Sequence, residues 1–195
     1  MNRSNTKVAI VGATGLVGQQ LVTILSEHGY DLQQVSLAAS ERSVGRTFNL
    51  EGYSFTVQRI EDILQQKPDL ALFSAGGDVT KAWAPTFQET GIPIIDNSSA
   101  FRIDSHTPLV VPEINAEVLT ADQSLIANPN CSTIQLAMAL YPLHQAFGLE
   151  RVNVSTYQSV TGSGQQALDQ LRQERGGYSP EDMAYPWPID LNCLP

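Results

Sequence analysis

The side chain best placed for chemistry in this sequence is the thiol of Cys131, which lies in the polar run NPNCST at 128–133. Pro129 disfavours helical backbone at Asn128, so the chain must turn before a helix that we predict to begin at about Cys131 or Ser132. The unpaired N–H groups and positive dipole of a helix start favour the thiolate, the nucleophilic form of cysteine. Such a thiolate is suited to attack an acyl carbon. The alternative is that Cys131 only fills space, as free cysteines often do.

A glycine-rich turn near the N-terminus is a candidate nucleotide site. Lys7 to Val11 is a short apolar run, and it leads directly into Gly12-Ala13-Thr14-Gly15-Leu16-Val17-Gly18 and then into apolar residues at helical spacing. This order predicts a strand, a glycine turn and a helix whose N-terminus holds a pyrophosphate. The spacing is GxxGxxG rather than the commoner GxGxxG, and a plain glycine loop is the alternative.

The residues after the second predicted strand, Val35 to Ala39, bear on the choice of cofactor. An NAD-binding protein usually carries an acidic residue here for the ribose 2′-hydroxyl. This chain has Ser40, Glu41, Arg42 and Ser43. A guanidinium flanked by hydroxyls suits a 2′-phosphate, so we predict NADP rather than NAD. The acidic Glu41 argues against NADP. The alternative is that this segment is a solvated loop with no role in cofactor binding.

Alternating strand and helix patterns predict the fold. A helix is expected from about Thr80 to Glu89. Further strands are expected at Phe55 to Arg59, Asp69 to Ser74, Ile92 to Asp96, Leu109 to Val111 and Leu125 to Ala127. Continuous apolar runs of this kind are typical of strands buried on both faces. We therefore predict an α/β fold: a doubly wound, mostly parallel Rossmann-type sheet over residues 1–130, followed by an incomplete α+β catalytic or dimerisation domain over 131–195.

Two further segments complete the candidate site. Arg102 follows the predicted strand that ends at Asp96, and its guanidinium could clamp a phosphate or carboxylate, although a surface arginine is more often only solvated. Beyond Cys131 we expect the helix to be interrupted at Pro142 and to end at Gly148. The alternation from Arg151 to Val160 predicts a strand whose polar end could point at a site.

Composition excludes several classes of function. The 195 residues carry a net charge of −9 and no basic stretch, which argues against nucleic acid as a partner. No apolar run approaches the length of a membrane span and no signal-peptide core is present, so a cytoplasmic protein is expected. Cys131 and Cys193 lie far apart, which argues against a disulfide framework and against a zinc site.

With these pieces placed, the chain resembles aspartate-semialdehyde dehydrogenase. The motifs that carry the resemblance are VGATG at 11–15, FSAG at 73–76, DNS at 96–98, FR at 101–102, LVVPEIN at 109–115, NPNCSTIQ at 128–135 and STYQSVTGSG at 155–164. The related acyl-phosphate reductase of arginine synthesis usually has NPGCY at the nucleophile, and glyceraldehyde-3-phosphate dehydrogenase has SCTTN. Neither pattern is present.

The resemblance implies an activity and a role for each matching residue. The reaction would be the NADP-dependent interconversion of 4-phospho-L-aspartate and L-aspartate 4-semialdehyde through a thioester on Cys131, in the synthesis of aspartate-family amino acids such as lysine, threonine and methionine. A homodimer is expected of the full-length family. Gln158 would orient the substrate, and Arg102 with Asn130 would bind its phosphate. The cofactor-binding residues would be Gly12, Thr14, Gly15, Leu16, Val17, Arg42, Ser43, Thr161 and Gly162.

The sequence departs from the family at its end. Family members continue well past the stretch that Asn192-Cys193-Leu194-Pro195 resembles, and that continuation holds the general-base histidine, a substrate-binding arginine and a phosphate-binding lysine. We therefore expect this chain to correspond to the N-terminal portion of the family fold, with His106 as the only conceivable stand-in base. The alternative function is a non-catalytic remnant that binds NADPH or a partner chain.

Overall fold

The structure is a computed structural model that describes residues 3–180 and 182–194. The chain divides into two compact units, Met1–Glu150 and Arg151–Pro195. The predicted domain boundary at 130/131 stays a prediction.

The first unit is built on a five-stranded parallel sheet. Its strands stand in the order β2-β1-β5-β6-β7. They are β1 (Val8–Val11), β2 (Val35–Ala38), β5 (Leu70–Phe73), β6 (Ile94–Asp96) and β7 (Leu125–Ala127). In register, Val8 lies opposite Val35 on one side and Leu70 on the other. The predicted Rossmann-type parallel sheet is confirmed.

Helices alternate with these strands. They are α1 (Leu16–Glu27), α2 (Ile60–Gln66), α3 (Gly77–Glu89), α4 (Pro112–Asn115) and α5 (Cys131–Phe147), and the second unit adds α6 (Gln165–Arg175). Short 3₁₀ turns lie at Leu32–Gln34, Glu41–Ser43, Ala116–Val118 and Val160–Ser163.

The apolar residues of β1 divide between two core clusters, because successive side chains of a strand point to opposite faces. Val8 and Ile10 belong to the cluster that contains Val22 of α1. Ala9 and Val11 belong to the cluster that contains Phe87 and Ile63, which also includes Phe73 and Ile94. Burial on both faces explains why these strands read as continuous apolar runs rather than as alternating ones.

Two of the predicted strands differ from the observed elements. Instead of a strand at Phe55 to Arg59, β3 (Thr47–Leu50) and β4 (Tyr53–Thr56) form an antiparallel hairpin. Its two-residue turn, Glu51 and Gly52, has φ of 51° and 81°, the left-handed conformation that matches the twist of a hairpin. The predicted strand at Leu109 to Val111 is reduced to one isolated bridge between Leu109 and Ala127.

The prediction that α5 is interrupted at Pro142 is wrong, since the helix continues to Phe147 and only then ends at Gly148. Proline removes one backbone hydrogen bond, and the carbonyl left over can bond to water because no residue of this helix is buried. The strand predicted from Arg151 to Val160 is also wrong. Residues 151–159 have no regular secondary structure, and among the described residues no strand pairs with them.

The second unit is organised on α6. The segment 182–194 runs along this helix without regular structure beyond turns, and the polar side chains of Gln170 and Glu174 bind its backbone. Pro195, the last residue of the motif at 192–195, lies outside the described residues.

Candidate active site

The glycine turn connects β1 to α1 as the sequence predicted. Gly12 has φ of 90°, and a side chain there would overlap the backbone carbonyl of Ser74. The amides of Gly12 and Ala13 donate to the carbonyl of Ala38, 2.8 and 3.0 Å away. Only glycine permits this close approach of β1, β2 and β5 at their carboxyl ends. α1 begins after Gly15, and no side chain caps its first turn. The N–H groups of that turn, including those of Leu16 and Val17, are therefore available to an anion.

A cavity of about 490 Å³ opens beside this turn. Predicted cofactor residues Gly12, Thr14 and Gly15 line it, together with residues that follow β2 and β5. The sequence reading missed its apolar wall, which includes Ile60, Val79 and Trp83. A cavity with glycine amides at one part of its lining and apolar side chains at another has room and chemistry for the adenosine half of a dinucleotide.

The predicted 2′-phosphate residues lie next to this cavity in sequence. Arg42 and Ser43 belong to the 3₁₀ turn Glu41–Ser43, in which Arg42 is exposed and Ser43 is buried. Glu41, rather than either of these, lines the cavity. An exposed ion pair of 3.5 Å between Glu41 and Arg59 compensates its charge. The local charge is thus compatible with a 2′-phosphate despite the carboxylate.

Cys131 is the first residue of α5, as predicted, and its side chain is exposed. Asn130 is the N-cap: its Oδ1 accepts from the amides of Ser132 at 3.0 Å and Thr133 at 3.4 Å. The Cys131 Sγ lies 4.0 Å from the Ser132 Oγ. The thiol therefore stands at the N-terminal, positive end of the dipole of a 17-residue helix. Asn130, predicted to bind phosphate, also has the structural task of starting this helix.

From its sequence position, Arg102 is expected to expose a guanidinium that could bind phosphate. In the structure this guanidinium binds backbone carbonyls. Its Nε donates to the carbonyl of Asn128 at 2.9 Å, and its Nη2 donates to the carbonyl of Asn97 at 3.0 Å. Two of its three nitrogens thus join the loop after β6 to the loop that precedes Cys131. Its role in binding a substrate phosphate stays a prediction.

A buried carboxylate stands beneath these loops. Asp96, with none of its surface exposed, accepts from the Thr80 hydroxyl at 3.1 Å, the Ser98 amide at 2.9 Å and the Ser98 hydroxyl at 2.8 Å. These bonds compensate the cost of burying a charge. They fix the start of the loop that carries Asn97 and Arg102.

The remaining predicted residues, Gln158, Thr161 and Gly162, belong to the second unit and are exposed. The Gln158 Nε2 donates to the Thr156 hydroxyl at 3.3 Å, and the Thr161 hydroxyl donates to that of Ser159 at 3.0 Å. Their roles toward substrate and cofactor stay predictions.

Over residues 3–180 and 182–194, no group of three or more His, Cys, Asp or Glu side chains could hold a metal ion. In the same part of the chain, no helix is both long and apolar enough to cross a membrane.

Comparison with known proteins agrees with this geometry. Residues 7–121 match the family model described as the NAD binding domain of semialdehyde dehydrogenase, and residues 140–195 match that of its dimerisation domain. Aspartate-semialdehyde dehydrogenase 2 of Vibrio cholerae is 44% identical over an alignment of 194 positions that covers 96% of this chain and 58% of the relative. The enzyme of Aquifex aeolicus is 44% identical over an alignment of 197 positions that covers 97% of this chain and 58% of the relative. The chain thus spans somewhat more than half the length of these relatives.

Solved structures give the same answer. The structure of aspartate semialdehyde dehydrogenase II from Vibrio cholerae complexed with ASA superposes with a TM-score of 0.88 at 43% identity, over 98% of this chain and 59% of that one. The Candida albicans enzyme with NADP superposes with a TM-score of 0.58 at 26% identity, over 74% of this chain and 48% of that one.

A parallel sheet with a glycine turn after β1, over residues that match the model of an NAD binding domain, defines a Rossmann-type dinucleotide-binding fold. The sequence identity to these relatives and the coverage of this chain show its family. The chain belongs to the aspartate-semialdehyde dehydrogenase family.

Proposed function

We propose that this chain supplies the cofactor site and the nucleophile for the NADP-dependent interconversion of 4-phospho-L-aspartate and L-aspartate 4-semialdehyde. The observation that carries the proposal is the exposed Cys131 at the capped start of α5, held by a loop whose neighbour presents Arg102. Relatives that match nearly the whole chain bear the name of this activity.

The cofactor would lie along the glycine turn. The amides of Leu16 and Val17 suit the pyrophosphate, and Thr14 and Gly15 line the same cavity. Arg42 and Ser43 would bind the 2′-phosphate, and the apolar wall at Ile60 and Trp83 would take the adenine ring. Thr161 and Gly162 would also bind the cofactor. When bound, NADPH supplies the hydride.

In the reductive direction, the Cys131 thiolate would attack the carbonyl carbon of the acyl phosphate. The bond from carbon to the phosphate oxygen breaks, phosphate leaves with the electron pair, and a thioester remains on Cys131. Arg102 and Asn130 would hold the phosphate, and Gln158 would orient the acyl group. The Cys131 sulfur would then leave as the thiolate when the reduced acyl group is released as the aldehyde.

The assembly we propose is a homodimer of the family type, because residues 140–195 match a dimerisation domain. The substrates are small molecules, and the ASA bound in the Vibrio cholerae structure is of this class. The pathway would be the synthesis of aspartate-family amino acids.

Replacing Arg42 by Ala tests the cofactor assignment. Losing the charge-assisted contacts to a 2′-phosphate should weaken NADPH binding by about 1.5–3 kcal/mol, roughly ten- to a hundredfold, and leave NADH binding unchanged. Fluorescence titration of both cofactors measures this, with Arg46→Ala as the control for removal of a nearby exposed guanidinium. An unchanged preference in Arg42→Ala would exclude Arg42 as the determinant.

Turnover tests the reaction itself. None of the histidines of this chain matches the base that the family resemblance implies, and a positioned base typically contributes ~100- to 10,000-fold. We therefore expect the 195-residue chain to show no appreciable phosphate-dependent reduction of NADP by aspartate semialdehyde, and to gain it when mixed with a purified C-terminal fragment of a homologue. Cys131→Ala should abolish that gain. Turnover by the chain alone that is lost in both Cys131→Ala and His106→Ala would contradict this expectation.

A further inference from the structure

The loop before Cys131 is attached to a neighbouring loop by a hydrogen bond between the side chains of Asn97 and Asn128. β6 and β7 are adjacent parallel strands, so the loops that follow them leave the same edge of the sheet. The loop after β6 carries Asn97, and the loop after β7 carries Asn128.

Asn128 is bound to the first loop in three ways. Its backbone amide donates to the carbonyl of Asp96 at 2.8 Å. Its carbonyl accepts from the Nε of Arg102 at 2.9 Å. Its side-chain Nδ2 donates to the Oδ1 of Asn97 at 2.7 Å. The backbone on both sides of this residue is thereby fixed relative to β6.

Asn97 is itself held firmly enough to serve as the anchor. Its amide donates to the carbonyl of Phe73 at 2.8 Å, and its carbonyl accepts from Arg102 at 3.0 Å. It lies between Asp96 and Ser98, both buried and hydrogen-bonded to each other. The Asn97 Oδ1 that accepts from Asn128 therefore belongs to a residue whose backbone is fixed by hydrogen bonds.

We propose that Asn97 and Asn128 are positioning residues for the nucleophile, and that the amide–amide bond between them sets where α5 begins. Only Pro129, whose ring fixes its φ, and the N-cap Asn130 separate Asn128 from Cys131. Holding Asn128 therefore holds the first turn of α5 and its thiol. Without the bond, the first turn frays part of the time and Cys131 reacts as an ordinary exposed thiol. The inference rests on the nucleophilic role proposed for Cys131.

Cys193 provides an internal reference for the test, because it is exposed and lies in the second unit. The full chain is alkylated with iodoacetamide at neutral pH, and the rates at the two cysteines are measured by peptide mapping. Unfolding of a variant would bring the ratio of the Cys131 rate to the Cys193 rate close to one with loss of the folded circular dichroism signal. Loss of positioning should lower the ratio in a protein that remains folded.

A double-mutant cycle isolates the bond, because Asn97→Leu removes the acceptor and Asn128→Leu removes the donor. We expect each single variant to lower the rate ratio by roughly three- to tenfold, the value of a net hydrogen bond. The double variant should lower it no further than either single variant, since the bond is already lost in each. Asn97→Asp keeps an acceptor for the Asn128 Nδ2 and should stay within about twofold of the parent chain.

A rate ratio unchanged in both single variants, or losses that multiply in the double variant, would overturn the positioning role while leaving the function proposed for Cys131 intact. If a leucine variant does not fold, the same cycle is made with Asn97→Ala and Asn128→Ala. A parent chain in which both cysteines react at the same rate would overturn the nucleophilic role and the positioning role with it.

Discussion

The two units hold irregular segments in place by different means. In the first unit, the loops around Cys131 stand on a parallel sheet between two apolar clusters, in which Phe73, Phe87 and Ile10 are fully buried. In the second unit, only Ala167 and Gln170 are buried among the described residues. The first unit is therefore stabilised by apolar burial, and the second depends on polar contacts.

Gln170 is the centre of those polar contacts. Its Oε1 accepts from the amides of Ala184 at 2.9 Å and Tyr185 at 3.0 Å. Its Nε2 donates to Glu174 and to the carbonyls of Tyr185 and Trp187. One glutamine thus satisfies backbone groups that a strand partner would satisfy in a sheet. Such an arrangement is specific in geometry, but each bond contributes little net stability.

Truncating a core aromatic residue should have the largest effect and should fall on the first unit. Phe87 is fully buried and packs edge-on against Phe73, with ring centroids 5.1 Å apart. Phe87→Ala should lower the free energy of unfolding by about 3–5 kcal/mol, because it removes apolar contact and leaves a cavity. Denaturant unfolding followed by circular dichroism measures this. Phe147→Ala, at a side chain that is 80% exposed, should change it by less than about 0.5 kcal/mol. Equal losses in the two variants would refute this account of the core.

Removing the central glutamine should have a smaller effect, confined to the second unit. Gln170→Ala leaves two amides and two carbonyls of the 184–187 segment without their partner, and a lost buried partner costs about 1–3 kcal/mol. The amides of Ala184 and Tyr185 should then exchange roughly five- to a hundredfold faster. Hydrogen exchange resolved by residue measures it, with exposed Gln173→Ala on the same helix as control. Unchanged exchange at both amides would show that this segment is held in another way.

Acidification should have the smallest effect, again on the second unit. The amide of Asp190, which donates to Glu174, lowers the pKa of this carboxyl below its ordinary value of 4.5; partial burial opposes the shift, and bonds from Gln170 and Ile189 add to it. Because the folded pKa is depressed, the carboxylate stabilises the fold above pH 4.5, and this contribution is lost as pH falls through the folded pKa. The protection of the Ile189 and Asp190 amides, relative to Glu174→Gln at the same pH, should be greatest at neutral pH and disappear in acid. If the protection of these amides in the parent chain, divided by that in Glu174→Gln, does not vary with pH, the stabilising role of the Glu174 carboxylate is contradicted.

The sequence predicts well what local pattern determines. β7 has the predicted bounds, Leu125 to Ala127, and α5 begins at Cys131, because an apolar run and a proline-directed cap act within a few residues. The path of α5 through Pro142 was not predictable in this way. The cost of one missing hydrogen bond depends on whether water can reach the carbonyl left over, which is a property of the fold.

Contacts between distant residues are the part that the sequence conceals. Asn97 and Asn128 are separated by 31 positions, and their bond depends on β6 lying next to β7. From the sequence Arg102 is interpreted as a surface cation, whereas in the structure two of its three nitrogens donate to backbone carbonyls. Trp83 reads as one residue of an amphipathic helix, and only the packing of α3 places it at the cavity. The hairpin at β3 and β4, by contrast, had a local signal in the turn at Glu51 and Gly52.

The central claim is that Cys131 accepts the acyl group, and intact mass with peptide mapping tests it most directly. The chain is mixed with 4-phospho-L-aspartate without cofactor, so that an acyl group once transferred is not reduced. Transfer from an acyl phosphate to a thiolate needs no separate base, so this step does not depend on a general-base histidine. We predict one aspartyl adduct on the Cys131 peptide, released by hydroxylamine and absent in Cys131→Ala. An adduct distributed equally between Cys131 and Cys193, or no adduct at either cysteine in the folded chain, would contradict the claim.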